Sequence, residues 1–132
     1  MSMNLNLLLV DDEPDAIELF RQKFRKELRQ GDYDIRFATS GAEALKVLAD
    51  NGLLSPLVLL SDINMPGMTG LELLVEVKNK WPDLEVIMIT AYGDEDNRRR
   101  AREAGASDFV TKPVDFAELK QKLGTYVAGD GI

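Results

Sequence analysis

LVLLSDINMPGMTG, residues 57–70, is the stretch on which the fold turns. Its first four residues are apolar without interruption, the pattern of a short strand buried on both faces of a parallel sheet. The run then ends in Ser61 and Asp62, and Pro66, Gly67 and Gly70 follow at once. A carboxylate at the end of a buried strand has a rigid mount. A Pro-Gly loop after it moves the chain aside and leaves the carboxylate accessible.

Working outward, apolar runs alternate with helical patterns along the whole chain. LNLLLV (5–10) reads as a first buried strand, and Pro14 stands where the first turn of a helix tolerates a missing N–H. Ile17, Phe20, Phe24 and Leu28 recur at helical spacing until Gly31 ends the helix. YDIRFA (33–38) alternates apolar and polar, as a strand buried on one face at a sheet edge does. A second helix is expected from Ala42 to Leu48 and a third from Leu71 to Val77, with EVIMI (85–89) as the fourth strand. A fourth helix spans Asp94 to Ala104, SDFV (107–110) is a short fifth strand, and Phe116, Leu119, Leu123 and Val127 mark the last helix. The tail AGDGI is expected to fray. Five βα units in series imply an α/β fold, doubly wound with helices on both faces of a parallel sheet, and right-handed crossovers.

The chain of 132 residues suits one domain, 1–132, with a core over about 5–127. Its net charge of -7 argues against a nucleic-acid surface and suits cation binding. It has no cysteine and no histidine, which excludes disulfides, thiolate or histidine metal sites, and triads built on either residue. The apolar runs are too short to cross a membrane, and MSMNLN lacks the features of a signal peptide. A cytoplasmic protein is the default expectation.

The strand ends carry the chemistry. Asp11, Asp12 and Glu13 follow the first strand, Asp62 the third, Thr90, Ala91 and Tyr92 the fourth, and Lys112 and Pro113 the fifth. In a parallel sheet these ends share one rim, where open α/β sheets bind ligands. Crowded carboxylates resist ionising unless a hard cation joins them, and Mg²⁺ takes a few carboxylate oxygens together with water and phosphate oxygens. Lys112 adds positive charge for phosphoryl oxygens, Thr90 adds a hydrogen bond, and Asp62 is placed to act as a nucleophile. Each piece alone has a plainer reading. DDEPD suits a helix N-cap, MPGMTG suits a loop, and Lys112 suits a solvated charge. Four independent strand ends delivering complementary groups are far more specific than any one of them.

LLLVDDEPDA, LLSDINMPGMTGLELL, VIMITAYGD and AGASDFVTKPVD together resemble the receiver domain of two-component response regulators. The resemblance covers the chain from about Leu5 to Val127 and implies a flavodoxin-like sheet of order 2-1-3-4-5. It implies that Asp62 is the phosphoacceptor, with Asp12 a direct Mg²⁺ ligand and Asp11 one acting through water. It also implies that the Asn64 backbone carbonyl completes the metal site. Thr90 would be the switch hydroxyl, Tyr92 the switch aromatic and Lys112 the phosphate-contacting lysine, with Pro113 following a cis peptide.

The phosphoryl donor implied is a phosphohistidine on a sensor histidine kinase or a histidine phosphotransfer protein, or a small acyl phosphate. Such a chain is a phosphoacceptor with slow self-dephosphorylation, and not an enzyme. Phosphorylation would let Thr90 move toward the phosphoryl group and Tyr92 turn inward. The surface of the fourth helix, fifth strand and last helix would then change.

The rival reading is a Mg²⁺-dependent aspartyl-phosphate phosphohydrolase. It needs a second aspartate where Asn64 stands. A nucleotide-binding module lacks its glycine-rich loops here. The stretch NRRRAR (97–102) departs from the milder mix common in the family. Helical spacing turns Asn97, Ala101 and Ala104 inward and Arg98, Arg99 and Arg102 outward, with Arg100 to one side. Those arginines form either a solvated face balancing Asp94, Glu95 and Asp96, or an output surface. The output partner would be a second copy, in a phosphorylation-favoured dimer, or an acidic effector.

Overall fold

The apolar runs become five parallel strands: β1 (Leu5–Val10), β2 (Tyr33–Ala38), β3 (Leu57–Asp62), β4 (Glu85–Thr90) and β5 (Asp108–Thr111). In the computed structural model, which describes residues 5–51, 57–65 and 67–129, they form one sheet of order β2-β1-β3-β4-β5. This is the expected flavodoxin-like order, with YDIRFA at an edge. Six helices accompany the strands: α1 (Pro14–Lys23), α2 (Arg25–Gln30), α3 (Gly41–Asn51), α4 (Gly70–Lys80), α5 (Glu95–Glu103) and α6 (Phe116–Gly129).

The helix expected to run from Pro14 to Gly31 is two helices. The chain leaves helical geometry at Phe24, at φ -103° and ψ 10°, and restarts at Arg25. The Phe24 ring is fully buried, 6.1 Å from Phe20, 5.4 Å from Tyr33 and 6.3 Å from Phe116. Packing accompanies the break, which no glycine or proline announces. Gly31 then closes α2 with φ 79°, a left-handed conformation that glycine adopts without strain. The break shifts later helix numbers by one, so the expected fourth helix is α5 and the last is α6. The last helix also continues through Gly129, two residues into the expected tail. Residues 130–132, residues 1–4 and Pro66 lie outside the described residues, as does the side chain of Val127.

Strand periodicity divides the core in two. On one face Leu8, Val10, Leu59, Val86 and Met88 pack under α3, α4 and α5, through Ala44, Leu48, Leu73, Leu74, Val77 and Ala101. On the other, Leu7, Leu9, Val58, Leu60, Ile87 and Ile89 meet Ile17, Phe20, Phe24, Leu119 and Leu123 from α1, α6 and the break. β1, β3 and β4 are buried on both sides, which anchors their ends firmly. The register sets Val10 beside Ser61, Asp62 beside Ile89 and Thr90 beside Thr111, so the chemical residues emerge level at one rim.

Candidate metal and phosphoryl site

Asp62 closes β3 and is almost wholly buried, at 3% exposure. Its two oxygens are held by different partners. Oδ1 accepts the Asn64 backbone N–H at 3.2 Å, and Oδ2 accepts from Lys112 Nζ at 2.8 Å. Ser61 Oγ donates to the Asp62 carbonyl at 3.0 Å. Behind the loop, α4 comes so close that a Cβ on Gly70 would overlap Asp62 O and Ile63 Cα, both rigid backbone. Gly70 N donates to Ile63 O at 2.9 Å, and Thr69 with Glu72 forms a complete capping box at the same helix start.

Asp11, Asp12 and Asp62 each bring a carboxylate oxygen within 4.8 Å of the others. Asp11 is 4% exposed and accepts the Glu13 N–H at 2.9 Å, whereas Asp12 is more open. Burial pushes the Asp11 carboxyl above its ordinary range against the pull of the Glu13 N–H, and the charges of Asp62 and Asp12 add to the push. Lys112 carries the compensating charge. Partial burial opposes its ammonium, yet the hydrogen bond to Asp62 and the charges of Asp62, Asp11 and Glu13 raise its pKa. This donor set is all hard oxygen, three carboxylates in one small volume, and it fits a hard divalent cation.

Thr90 is 1% exposed, and its Oγ1 has no hydrogen-bond partner among the described residues. A buried hydroxyl left unpaired is costly and ready to accept a new partner. Its backbone carbonyl accepts from Lys112 N at 2.8 Å, which couples the ends of β4 and β5. The Lys112–Pro113 peptide is cis. Tyr92, by contrast, is 90% exposed. Phe109 on β5, registered beside Met88, presents its ring on the same face of the sheet as Thr90. Val86 and Met88 face the α5 side, so Thr90 does too by alternation, and Phe109 packs against that same cluster.

Along α5 the helical spacing holds for the small residues: Ala101 is fully buried, Ala104 partly so, and Asn97 donates to Asp94 Oδ2 at 2.9 Å. The outward placement of Arg98 is corrected. Its guanidinium lies 5.3 Å from the Phe109 ring centroid and donates to Thr111 Oγ1 at 3.3 Å. A planar cation gains more from stacking on a ring than from water alone, and Phe109 offers that ring. Arg99 pairs with Asp96 at 2.7 Å and Glu103 at 3.4 Å, Arg100 pairs with Asp96 at 3.3 Å, and Arg102 is exposed beside Phe109.

The rim therefore unites Asp11, Asp12, Asp62 and Lys112, sets Thr90 beneath, and leaves Tyr92 outside. Three contributors escaped the sequence reading. The supporting role of Glu13 N–H depends on backbone geometry. The close approach at Gly70 was legible only as a loop glycine. Phe109 stands in the sequence only as part of the short strand SDFV, with nothing to mark its ring as the seat of Arg98.

The chain belongs to the response regulator receiver domain family, whose model matches residues 7–124. It is 40% identical over 119 residues to the response regulator protein PilR of Pseudomonas aeruginosa, covering 89% of this chain and 25% of that protein. It is 32% identical over 125 residues to sporulation initiation phosphotransferase F of Bacillus subtilis, covering 95% of each. A receiver domain from Clostridium thermocellum superposes with TM-score 0.83 at 25% identity, over 96% of this chain and 97% of that one. The chain thus spans a quarter of one relative and nearly all of another. Receiver domains are phosphoacceptors of two-component phosphorelays, not enzymes in the ordinary sense, and are served by histidine kinases or phosphotransfer proteins. No helix among the described residues is long and apolar enough to cross a membrane.

Proposed function

We propose that residues 1–132 act as one receiver domain, core about 5–127, in which Asp62 accepts a phosphoryl group from a phosphohistidine of a sensor kinase or phosphotransfer protein. The observation that carries this reading is the Lys112 ammonium 2.8 Å from Asp62 Oδ2, at the edge of the Asp11, Asp12 and Asp62 cluster. An Asp62 oxygen attacks phosphorus in line. The O–P bond forms as the P–N bond breaks, and the electron pair stays on the donor imidazole, which takes up a proton. Lys112 follows the charge from the carboxylate to the phosphoryl oxygens. Asp12 would hold Mg²⁺ directly and Asp11 through water, and Asp62 and the Asn64 carbonyl would complete the set. When bound, the ion neutralises the transferring oxygens. Water later hydrolyses the acyl phosphate slowly, because no second acid stands at Asn64.

Thr90 reads the product. Its unpaired hydroxyl gains an acceptor when a phosphoryl oxygen arrives. We assign the responding ring to Tyr92, which is exposed before phosphorylation and turns inward as Thr90 moves toward the phosphoryl group, whereas Phe109 is already packed against the core under Arg98. The altered surface is α5–β5–α6. There Arg98, released from Phe109 and Thr111, joins Arg99 and Arg102 in meeting carboxylates of an acidic effector or of a second copy. The pairing of Arg99 with Asp96 and Glu103 makes it the weakest contributor of the three.

Hydroxylamine tests the chemistry. Protein treated with acetyl phosphate and Mg²⁺ should lose its label to hydroxylamine, as an acyl phosphate does. A label that survives is an ester on a hydroxyl and contradicts the proposal.

A further inference from the structure

The sheet edge far from α5 and β5 carries a second charged surface. α1 and α2 align Arg21, Arg25 and Arg29 along a groove of about 600 Å³, with Leu28, Ile35 and Phe37 as its apolar floor. Arg25 and Arg29 share a face of α2, and Arg21 from α1 lines the same groove across the break at Phe24. Among the described residues Glu18 is the only carboxylate lining the groove, and it pairs with Arg21 at 3.3 Å. Arg21 also sits 4.7 Å from the Phe37 ring centroid. Arg25 and Arg29 make no ion pair among the described residues. In a chain of net charge -7 this is a local excess of cations, three arginines against one glutamate.

The floor belongs to an open edge. β2 pairs with β1, its only strand neighbour among the described residues. Its outer row of backbone N–H and C=O groups is therefore available to another strand, and edges of this kind accept extended peptides. Ile35 and Phe37 are only partly buried. Unpaired arginines, half-covered apolar side chains and a free strand edge converge within one groove.

We propose that this groove docks an acidic, extended segment of a partner protein. The segment adds along β2, sets carboxylates against Arg25 and Arg29, and seats an apolar side chain on Leu28 and Ile35. Charge complementarity selects the occupant. The apolar floor and strand edge favour a peptide over nucleic acid, which the net charge of the chain repels. The groove lies at the opposite edge from β5, so docking there is independent of phosphorylation and serves as an anchor rather than an output.

The test is a titration of ¹⁵N-labelled protein with the synthetic peptide acetyl-Glu-Asp-Leu-Glu-Ile-Asp-Glu-amide. Saturable shifts should map to β2 amides and to the Arg25 and Arg29 side chains. Affinity should fall with added salt and drop about tenfold or more in Arg25→Glu/Arg29→Glu. It should be unchanged in Asp62→Asn and in Arg98→Glu/Arg102→Glu. The milder Arg25→Gln/Arg29→Gln variant, checked by circular dichroism, should show a smaller loss in an intact fold. The proposal is overturned by shifts confined to α5 and β5, by affinity unchanged in the Arg25/Arg29 variants, or by no saturable binding. It is equally overturned if phosphatidylglycerol vesicles bind through these arginines while the peptide does not.

Discussion

Lys112 reaches from the end of β5 to Asp62 at the end of β3, its Nζ 2.8 Å from Oδ2, and so occupies the side of the carboxylate cluster where positive charge is most needed. The ammonium and a divalent cation therefore compete for the same field. Removing Lys112 separates two properties. Lys112→Ala should bind Mg²⁺ more tightly than wild type, by calorimetric titration, while its phosphorylation by acetyl phosphate slows by about 10²-fold. Weaker Mg²⁺ binding together with an unchanged rate would remove Lys112 from the proposed role.

The two acidic neighbours should differ. Asp11 is buried and committed to the Glu13 N–H, whereas Asp12 is more open. In Asp12→Ala the Mg²⁺-dependent rise in Tm should vanish, and in Asp11→Ala it should be reduced but present. The reverse order exchanges their assignments.

Phe109 and Tyr92 can be told apart by substitution. Tyr92→Ala should uncouple phosphorylation from spectral changes along α5, while Phe109→Ala should free Arg98 and leave the coupling in place. Two-dimensional NMR with and without acetyl phosphate reads this directly. Coupling lost only in Phe109→Ala would move the switch to Phe109.

Much of this was legible in the sequence, for particular reasons. The βα order followed from buried strands that must be apolar on both faces, as LNLLLV and LVLL are. The shared rim followed from parallel topology, which carries Asp11, Asp62, Thr90 and Lys112 to one side wherever the helices pack. The break at Phe24 was not legible, because Phe24 obeys the helical spacing and departs from it only where its ring is enclosed by Phe20, Tyr33 and Phe116. Arg98 was misplaced for a related reason. Periodicity marks a charged side chain as outward, but a long one lies back over a neighbouring ring when β5 supplies it. The unpaired Thr90 hydroxyl is likewise a property of three-dimensional packing alone.

The pair Glu27–Lys120 predicts a pH dependence. Lys120 Nζ lies 2.9 Å from Glu27 Oε2 and also donates to Lys23 O at 2.9 Å, tying α6 to α1 and α2. Burial pushes the Glu27 carboxyl up, but the Lys120 hydrogen bond and charge outweigh it, and its pKa falls below the ordinary 4.5. A carboxyl with a lowered folded value stabilises the fold above its unfolded pKa, and that contribution is lost as pH falls through the folded value. Glu27→Gln should therefore be less stable than wild type by on the order of 1 kcal/mol near neutral pH, in urea unfolding. The deficit should shrink progressively as pH falls below 4.5 through the lowered folded value. A deficit that persists there would assign the loss to packing.

The most direct measurement of the central claim is intact mass after incubation with acetyl phosphate and Mg²⁺. Wild type should gain one phosphoryl group, chelation of the metal by EDTA beforehand should abolish the gain, and Asp62→Asn should show none. An adduct of the same mass on Asp62→Asn would contradict the assignment of Asp62 as the phosphoacceptor.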